Sequence, residues 1–267
     1  MRAALTTEYR KLVTTRLWWI LLIAMAVYMA FLAAVMAWSL TQGGDMTAGG
    51  EDVALTGGEV TRMVYTLAPS LGYVFPLIVG ALAMTGEFRH QTITPTLLAE
   101  PRRTVMLGGK LLSSAVLGLV FGVVGTLATV ATGAAVLAAL GEPTYLGESD
   151  VQRTIVLSVV ALTVWAVVGV GFGTLLTNQV AAIVVLLAFT QFVEPVLRVV
   201  LGFASWGNGI APYLPGAAGE AVAGTSFYSA GGLSDLLQPW QGFLVLVGYA
   251  LVFAAIGRMT TLRRDIT

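Results

Sequence analysis

The chain has 267 residues, of which 57% are hydrophobic and only 10% are charged. Because a soluble domain carries about 25% charged residues, this composition excludes an ordinary soluble globule and predicts an integral membrane protein. The 14 basic residues are balanced by 14 acidic residues, and a zero net charge argues against nucleic acid as a partner.

The first predicted membrane span covers residues 17–40. This stretch of 24 residues contains no charge, and a helix needs about 20 residues to cross the hydrocarbon core. A signal peptide also begins with basic residues, as this chain does with residues such as Arg16. However, the apolar core of a signal peptide is only about 7–15 residues long. Trp18 and Trp38 lie near the two ends of the run, as is typical of the membrane interface. We therefore predict an uncleaved first span.

The second and third spans are predicted at 63–86 and 107–138. Pro69 and Pro76 fall inside the second span, which favours kinks over a straight rod. The third span lies in a long apolar run with a single charge, Lys110. That run exceeds one crossing, so we expect its first turns, around Lys110, to project beyond the membrane.

The last three spans are predicted at 154–176, 180–201 and 240–257. Between the last two of these lies the segment 202–239, which contains eight glycines and three prolines but only two charges. A solvated loop would be more polar, and a spanning helix would tolerate fewer breaks. Re-entrant or interfacial segments packed on protein fit this composition best.

Six spans place both termini on one side of the membrane, which we expect to be the cytoplasm. Of the 14 basic residues, 11 fall on that side, and the positive-inside tendency places such a side in the cytoplasm. The connection 87–104 lies there as well. The remaining three basic residues fall on the opposite side. They are Arg62, Arg153 and Arg198.

Motifs for nucleotide or metal chemistry are missing. The nearest approach to a phosphate-binding loop, "TVMLGGKL" at 104–111, has Thr104 in place of the first glycine and Leu111 in place of the hydroxyl residue. One histidine and no cysteine leave no zinc site. The sequence predicts no catalytic, cofactor-binding or metal-ligating residue in this chain, and hence no enzyme activity of its own.

One ionisable pair is predicted inside the apolar region. Glu194 and Arg198 are four residues apart in the fifth span, so they share one helix face. Such a pair either neutralises itself for structural reasons or contributes to gating or to a substrate path.

Small and aromatic residues in the spans allow two further readings. The G-x-x-x-G pairs Gly118/Gly122 and Gly169/Gly173 predict close helix contacts. Aromatic side chains could line an apolar cavity, or pack in the core or against lipid. These are Tyr28, Phe31, Tyr73, Phe75, Phe189 and Phe192.

The arrangement of these segments resembles a known family of transporters. The stretch "GEFRHQTITPTLLAEPRR" at 86–103, followed by "KLL", is similar to the loop after the second span in bacterial multidrug and antibiotic-resistance members of the type-2 ABC permeases. "EYRKLVTTRLWWILL" at 8–22 looks like the amphipathic interfacial helix that leads into the first span of that family. The resemblance covers the architecture of the whole chain and about 35 residues at motif level.

The resemblance implies partners that this chain does not contain. Two copies of a separate ATPase subunit would hold ATP and Mg²⁺, and a second permease subunit, identical or homologous, would complete the pathway. The loop would supply a coupling helix, with Thr94 as its cap, Pro95 in its first position, and Leu97 and Leu98 inserted into a cleft of the ATPase. Charged residues would pair around the rim of the cleft: Glu87, Arg89, Glu100, Arg102 and Arg103. His90, in the same loop, would make a polar contact.

Several functions stay open from the sequence. The resemblance implies a permease that exports a hydrophobic or amphipathic substrate, such as a drug, antibiotic, peptide or lipid-like molecule, across the bacterial plasma membrane. An alternative is a non-transporting anchor or sensor whose ATPase partner serves signalling or immunity. An ion-driven secondary carrier is less favoured, because few carboxylates lie in the spans. The loop at 87–104 could also be a basic segment that binds lipid headgroups.

Overall fold

The computed structural model describes residues 16–42, 57–99, 102–204, 206–224 and 236–261. In these ranges the protein is all-helical, and six helices are long and apolar enough to cross a membrane. The predicted all-α, six-span architecture is confirmed, and this is a multi-pass membrane protein. The spans are Leu17–Gln42, Gly57–Arg89, Arg103–Ala139, Ser149–Gly173, Gln179–Gly202 and Pro239–Met259. The residues before Arg16, where the interfacial helix that leads into the first span is expected, lie outside the described residues.

Two of the spans are interrupted, so the described α-helices outnumber the spans. In chain order the helices are α1 (Leu17–Gln42), α2 (Gly57–Tyr65), α3 (Val74–Arg89), α4 (Ile93–Ala99), α5 (Arg103–Ala139), α6 (Ser149–Gly173), α7 (Gln179–Ala188), α8 (Glu194–Gly202), α9 (Pro215–Ala223) and α10 (Pro239–Met259). The second span consists of α2 and α3, and the fifth consists of α7 and α8.

The interruptions are π-helical turns at Ala68–Gly72 and Phe189–Val193. Pro69 lies in the first of them, and Pro195 follows the second. Proline has no N–H and its ring crowds the preceding turn, so a locally wider helix accommodates it. The kink predicted at Pro69 therefore takes the form of a π-helical turn. Pro76 lies in the first turn of α3, a position that tolerates proline.

Helix α6 is the centre of the bundle and packs against α3, α5, α9 and α10. Its contacts with α3 and α5 depend on glycine. A Cβ atom added to Gly173 would lie 2.6 Å from the Ala81 carbonyl oxygen, and one added to Gly122 would lie 2.8 Å from that of Val159. Gly118 and Gly169 are equally crowded. The close helix contacts predicted from both G-x-x-x-G pairs are confirmed.

Hydrogen bonds between connections define the two ends of the bundle. At one end Arg89 donates to Gln179 over 3.2 Å, and the Thr261 hydroxyl donates to the Leu175 carbonyl over 3.3 Å. We call this the basic end, because it also carries Arg102, Arg103 and Arg258. At the opposite end the Tyr65 hydroxyl donates to the Thr144 carbonyl over 3.0 Å.

Helix α9 is a short buried helix in the segment that precedes the last span. It lies against α6 and α10, and all its residues from Gly216 to Ala223 are buried. Pro215 occupies its first position, and Gly224 ends it with φ of +84°, a left-handed conformation that favours glycine. At nine residues it is too short to cross a membrane. It is a short segment packed on protein, of the kind expected in 202–239.

Candidate functional site

Two clusters of buried charged residues stand out in this apolar bundle, one of them near the basic end. There Lys110 of α5 donates from Nζ to Glu87 Oε1 over 2.8 Å and to the Ala83 carbonyl oxygen over 3.0 Å. The side chains of Lys110 and Glu87 are 0% and 3% exposed. Because Glu87 and Ala83 belong to α3, this pair joins the ends of the second and third spans.

The second oxygen of Glu87 connects the same cluster to α4. The hydroxyls of Thr92 and Thr96 donate to Glu87 Oε2 over 2.7 and 3.1 Å. Thr92 precedes α4 and Thr96 lies within it. Leu97 adds an apolar contact, because it packs against a small cluster formed by Met84, Ile93 and Met106. Helix α4 is therefore fixed to both spans by one carboxylate and one apolar cluster.

These contacts differ from the arrangement expected for Glu87 and Lys110. Glu87 was expected on the rim of a partner's cleft, and Lys110 on a turn that projects beyond the membrane. Both are buried against each other. The physical reason is that each charge is stable inside an apolar bundle only when the other accompanies it.

Helix α4 also differs in detail from the expected coupling helix. It begins at Ile93, so Thr94 and Pro95 lie in its first turn, and the residue that precedes the helix is Thr92. Only one of the two leucines faces outward: Leu98 is 78% exposed, whereas Leu97 is half-buried.

The remaining polar residues of the loop lie around α4. His90 and Arg89 are exposed at the end of α3, and Arg89 bonds to Gln179 at the start of α7. Arg102 is exposed and Arg103 is half-buried. Glu100 lies outside the described residues.

The second charged cluster contains the predicted pair Glu194 and Arg198 and a third residue, Glu220. Arg198 donates from Nη2 and Nε to Glu194 Oε1 over 2.8 and 3.2 Å, and from Nη1 to Glu220 Oε2 over 2.9 Å. The three side chains are between 1% and 5% exposed. The pairing of Glu194 with Arg198 is confirmed, and we call the three residues the buried triad.

The triad docks α9 onto α8. The backbone N–H groups of Gly216 and Ala217, in the first turn of α9, donate to Glu194 Oε1 over 2.6 and 3.1 Å. A carboxylate at this place satisfies two otherwise unpaired N–H groups and complements the positive end of the helix dipole. Gly216 leaves the space that this requires, because an added Cβ would collide with Arg198 and Glu194.

The two π-helical turns meet beside α9. Tyr73, which follows the first turn, stacks on Trp165 with ring centroids 4.4 Å apart. Its hydroxyl donates over 3.3 Å to the carbonyl oxygen of Thr190, which lies in the second turn. Trp165 also faces α9, since a Cβ added to Gly219 would lie 2.5 Å from Trp165 Nε1.

The six aromatic residues considered for a transport path lie in different environments. Tyr73 belongs to the core, whereas Phe31 is 63% exposed and Phe192 is 72% exposed. Tyr28 and Phe75 contact each other with centroids 5.9 Å apart. Phe189 is half-buried, in the second π-helical turn.

The chain matches no protein-family model, and no curated protein is significantly similar to it. The geometry itself shows what the two clusters connect. The first fixes α4, at the basic end, to the second and third spans. The second fixes α9 to the fifth span.

Proposed function

We propose that this protein is the permease subunit of an ATP-driven exporter of the type-2 ABC family. Its substrate would be a hydrophobic or amphipathic molecule that crosses the bacterial plasma membrane. The observation that carries the proposal is α4: a short helix at the basic end, with Leu98 exposed outward and Glu87 fixing it to two spans.

Helix α4 has the connections that a coupling element needs. A partner that holds Leu98 in an apolar cleft pulls or pushes on α4 as a whole. The hydroxyls of Thr92 and Thr96 pass that displacement to Glu87, and Glu87 passes it to Lys110. Helix α5, which carries Lys110, packs along both α1 and α6, so a displacement at α4 reaches the centre of the bundle.

The energy in this proposal comes from two copies of a separate ATPase subunit, which bind ATP and Mg²⁺. A second permease subunit, identical or homologous, completes the pathway. The outer surfaces of the first and fifth spans expose large apolar side chains, which either lipid or such a subunit would cover. They include Val27 and Phe31 on α1, and Phe192, Val196 and Val200 in the fifth span.

The proposal is tested by exchanging one exposed leucine at each end of the bundle for aspartate. Leu98→Asp alters α4, and Leu146→Asp alters the connection at the opposite end, where Leu146 is 39% exposed. We expect an ATPase subunit to co-purify with the wild-type chain and with Leu146→Asp, but not with Leu98→Asp. In reconstituted vesicles, the substrate-dependent ATP turnover should be similar for the wild type and Leu146→Asp, and much lower for Leu98→Asp.

Two results would speak against the proposal in different ways. Full co-purification and export with Leu98→Asp would remove α4 as the coupling element. An ATPase that binds through α4 but never responds to substrate would favour the non-transporting anchor or sensor over the exporter.

A further inference from the structure

We propose that the outer face of the fifth span joins two copies of this chain inside the membrane, and that the side-chain amides of Gln191 from the two copies hydrogen-bond to each other. The inference deepens the proposed function and rests on it in one respect, because it identifies the second permease subunit as an identical one. The observation that carries it is an exposed amide in the middle of a membrane span.

Gln191 occupies a rare place for a polar side chain. Three side chains with a charge or an amide lie at least seven residues from both ends of a described span, namely Lys110, Gln191 and Glu194. Lys110 and Glu194 are buried in ion pairs. Gln191 is exposed, and it lies twelve residues after the first residue of the fifth span and eleven before the last. An exposed amide therefore lies at the centre of this span.

The second π-helical turn contains Gln191 and directs it outward. The residue before it, Thr190, is buried: its hydroxyl donates to the Leu186 carbonyl over 2.7 Å, and its own carbonyl accepts from Tyr73. In the described part of the chain the Gln191 amide makes one contact, from Nε2 to the Thr190 hydroxyl oxygen over 3.4 Å. This distance is too long for a strong hydrogen bond, so the chain itself hardly satisfies the amide.

Lipid cannot satisfy this amide either. Lipid tails neither donate nor accept hydrogen bonds, and a polar group in the hydrocarbon core is costly without a partner. A transported molecule would pair with the amide only while it is bound, and would leave it without a partner for the rest of the cycle. A subunit that stays in place satisfies the amide at all times. The position of Gln191 therefore favours a permanent protein contact on this face.

A second copy of the chain offers the matching group. A primary amide has two N–H donors and a carbonyl acceptor, so two such amides can form two reciprocal hydrogen bonds. Two copies inserted in the same orientation are related by a two-fold axis along the membrane normal, and a residue close to that axis meets its own equivalent at the same depth. Hydrogen bonds between amide side chains of neighbouring helices stabilise helix pairs in membranes.

The residues next to Gln191 allow two helices to approach each other. Val184 and Ala188 precede it at spacings of four and three residues, and all three side chains are exposed. These spacings place side chains along one face of a helix. Ala188 is small, and small residues let helix backbones come close. Val184, which is 57% exposed, adds an apolar contact. We call these three residues the amide face.

Single cysteines can test the amide face in the full-length protein in lipid vesicles, because the chain contains no cysteine. Ala188→Cys places a thiol beside Gln191 without replacing it. Leu119→Cys is the control, because Leu119 is 49% exposed near the middle of the third span. On mild oxidation at the same ratio of protein to lipid, we expect Ala188→Cys to form a disulfide-linked dimer and Leu119→Cys to stay monomeric.

The contribution of the amide is measured by energy transfer between copies that carry a donor or an acceptor dye at a C-terminal tag, as the vesicles are diluted with lipid. Gln191→Leu should weaken self-association about tenfold, since it removes the hydrogen bonds between the two copies. Gln191→Asn keeps an amide and should weaken self-association less. Because Gln191 is exposed, neither substitution alters the core of the single chain.

Three results would overturn the inference. Equal disulfide formation by Ala188→Cys and Leu119→Cys would indicate random collision of the copies. No dimer with Ala188→Cys would show that lipid or a different protein covers the amide face. Unchanged self-association of Gln191→Leu would show that the amides do not hold the copies together. Co-purification of an ATPase through Leu98 is a separate measurement, so failure of this inference and failure of the proposed function can be told apart.

Discussion

Lys110 donates a hydrogen bond to Glu87 over 2.8 Å although the two residues belong to different helices and both are buried. Glu87 lies near the end of α3, and Lys110 lies two turns into α5. The pair therefore fixes the ends of the second and third spans to each other at the point where α4 connects them.

The first prediction concerns this pair. Lys110→Met leaves Glu87 buried without its counter-charge, which should lower the free energy of unfolding by about 3–5 kcal/mol. Unfolding by SDS of the detergent-solubilised protein measures the loss. The double variant Glu87→Gln/Lys110→Met removes both charges and should recover most of it.

An exposed ion pair in the same protein serves as the control. Arg62 and Asp150 are 3.5 Å apart, and their side chains are 40% and 74% exposed. Exposed pairs contribute only about 0–1 kcal/mol, so Arg62→Met should have little effect. Equal losses for Arg62→Met and Lys110→Met would show that burial of the pair does not matter.

The sequence predicts the six spans well, because a run of about 20 residues that is almost entirely apolar is long enough to cross the hydrocarbon core as a helix. It locates the charged clusters less well. Lys110 was the one charge in an apolar run, and this was a signal that it required an acidic partner. Which acid would meet it depends on how α3 and α5 are packed, and sequence spacing does not show that.

Glu220 could not be assigned to a charged cluster from the sequence at all. It lies 22 residues from Arg198, in a glycine-rich segment where no periodic pattern marks a helix face. The i, i+4 spacing revealed Glu194 and Arg198 because both lie on one helix. The third member joins them only through the docking of α9. Similarly, α4 is seven residues long, too short for its sequence to show which of Leu97 and Leu98 faces outward.

The second prediction concerns glycine at the contact between α3 and α6. Gly169→Ala places a Cβ against the backbone of Leu77, and overpacking of this kind costs about 1–3 kcal/mol. Gly248→Ala is the matched control, because nothing lies within 4 Å of the added Cβ in α10. The thermal unfolding midpoint of Gly248→Ala should equal that of the wild type or be slightly higher, since alanine has a higher helix propensity than glycine. A Gly169→Ala midpoint as high as that of Gly248→Ala would contradict the close contact.

The third prediction concerns orientation, and the absence of cysteine from the chain makes it simple to test. His90 and Gly147 are exposed at opposite ends of the bundle. The excess of basic residues at the His90 end predicts that this end faces the cytoplasm. A membrane-impermeant maleimide added to intact cells should therefore label Gly147→Cys, and should label His90→Cys only after the cells are opened. The reverse pattern would invert the topology and remove α4 from any cytoplasmic partner.

The fourth prediction concerns the docking of α9. Gly216→Ala places a methyl group against the Arg198 guanidinium and the Glu194 carboxylate. This should weaken the 2.6 Å hydrogen bond from Gly216 to Glu194 and partly release α9 from α8. Gly58→Ala is a matched control, because Gly58 also occupies the second position of its helix and has open space around it.

A cysteine reporter can separate release of α9 from general unfolding. Val222 on α9 and Val168 on α6 are 1% and 2% exposed, so neither Val222→Cys nor Val168→Cys should react with a thiol reagent in an otherwise unaltered protein. With Gly216→Ala, the reporter at 222 should become reactive while the reporter at 168 stays protected, because α6 keeps its own contacts with α3 and α5. With Gly58→Ala, both should stay protected. If both reporters became reactive with Gly216→Ala, the substitution would have destabilised the whole bundle. If neither did, the hydrogen bonds to Glu194 would not be what holds α9 in place.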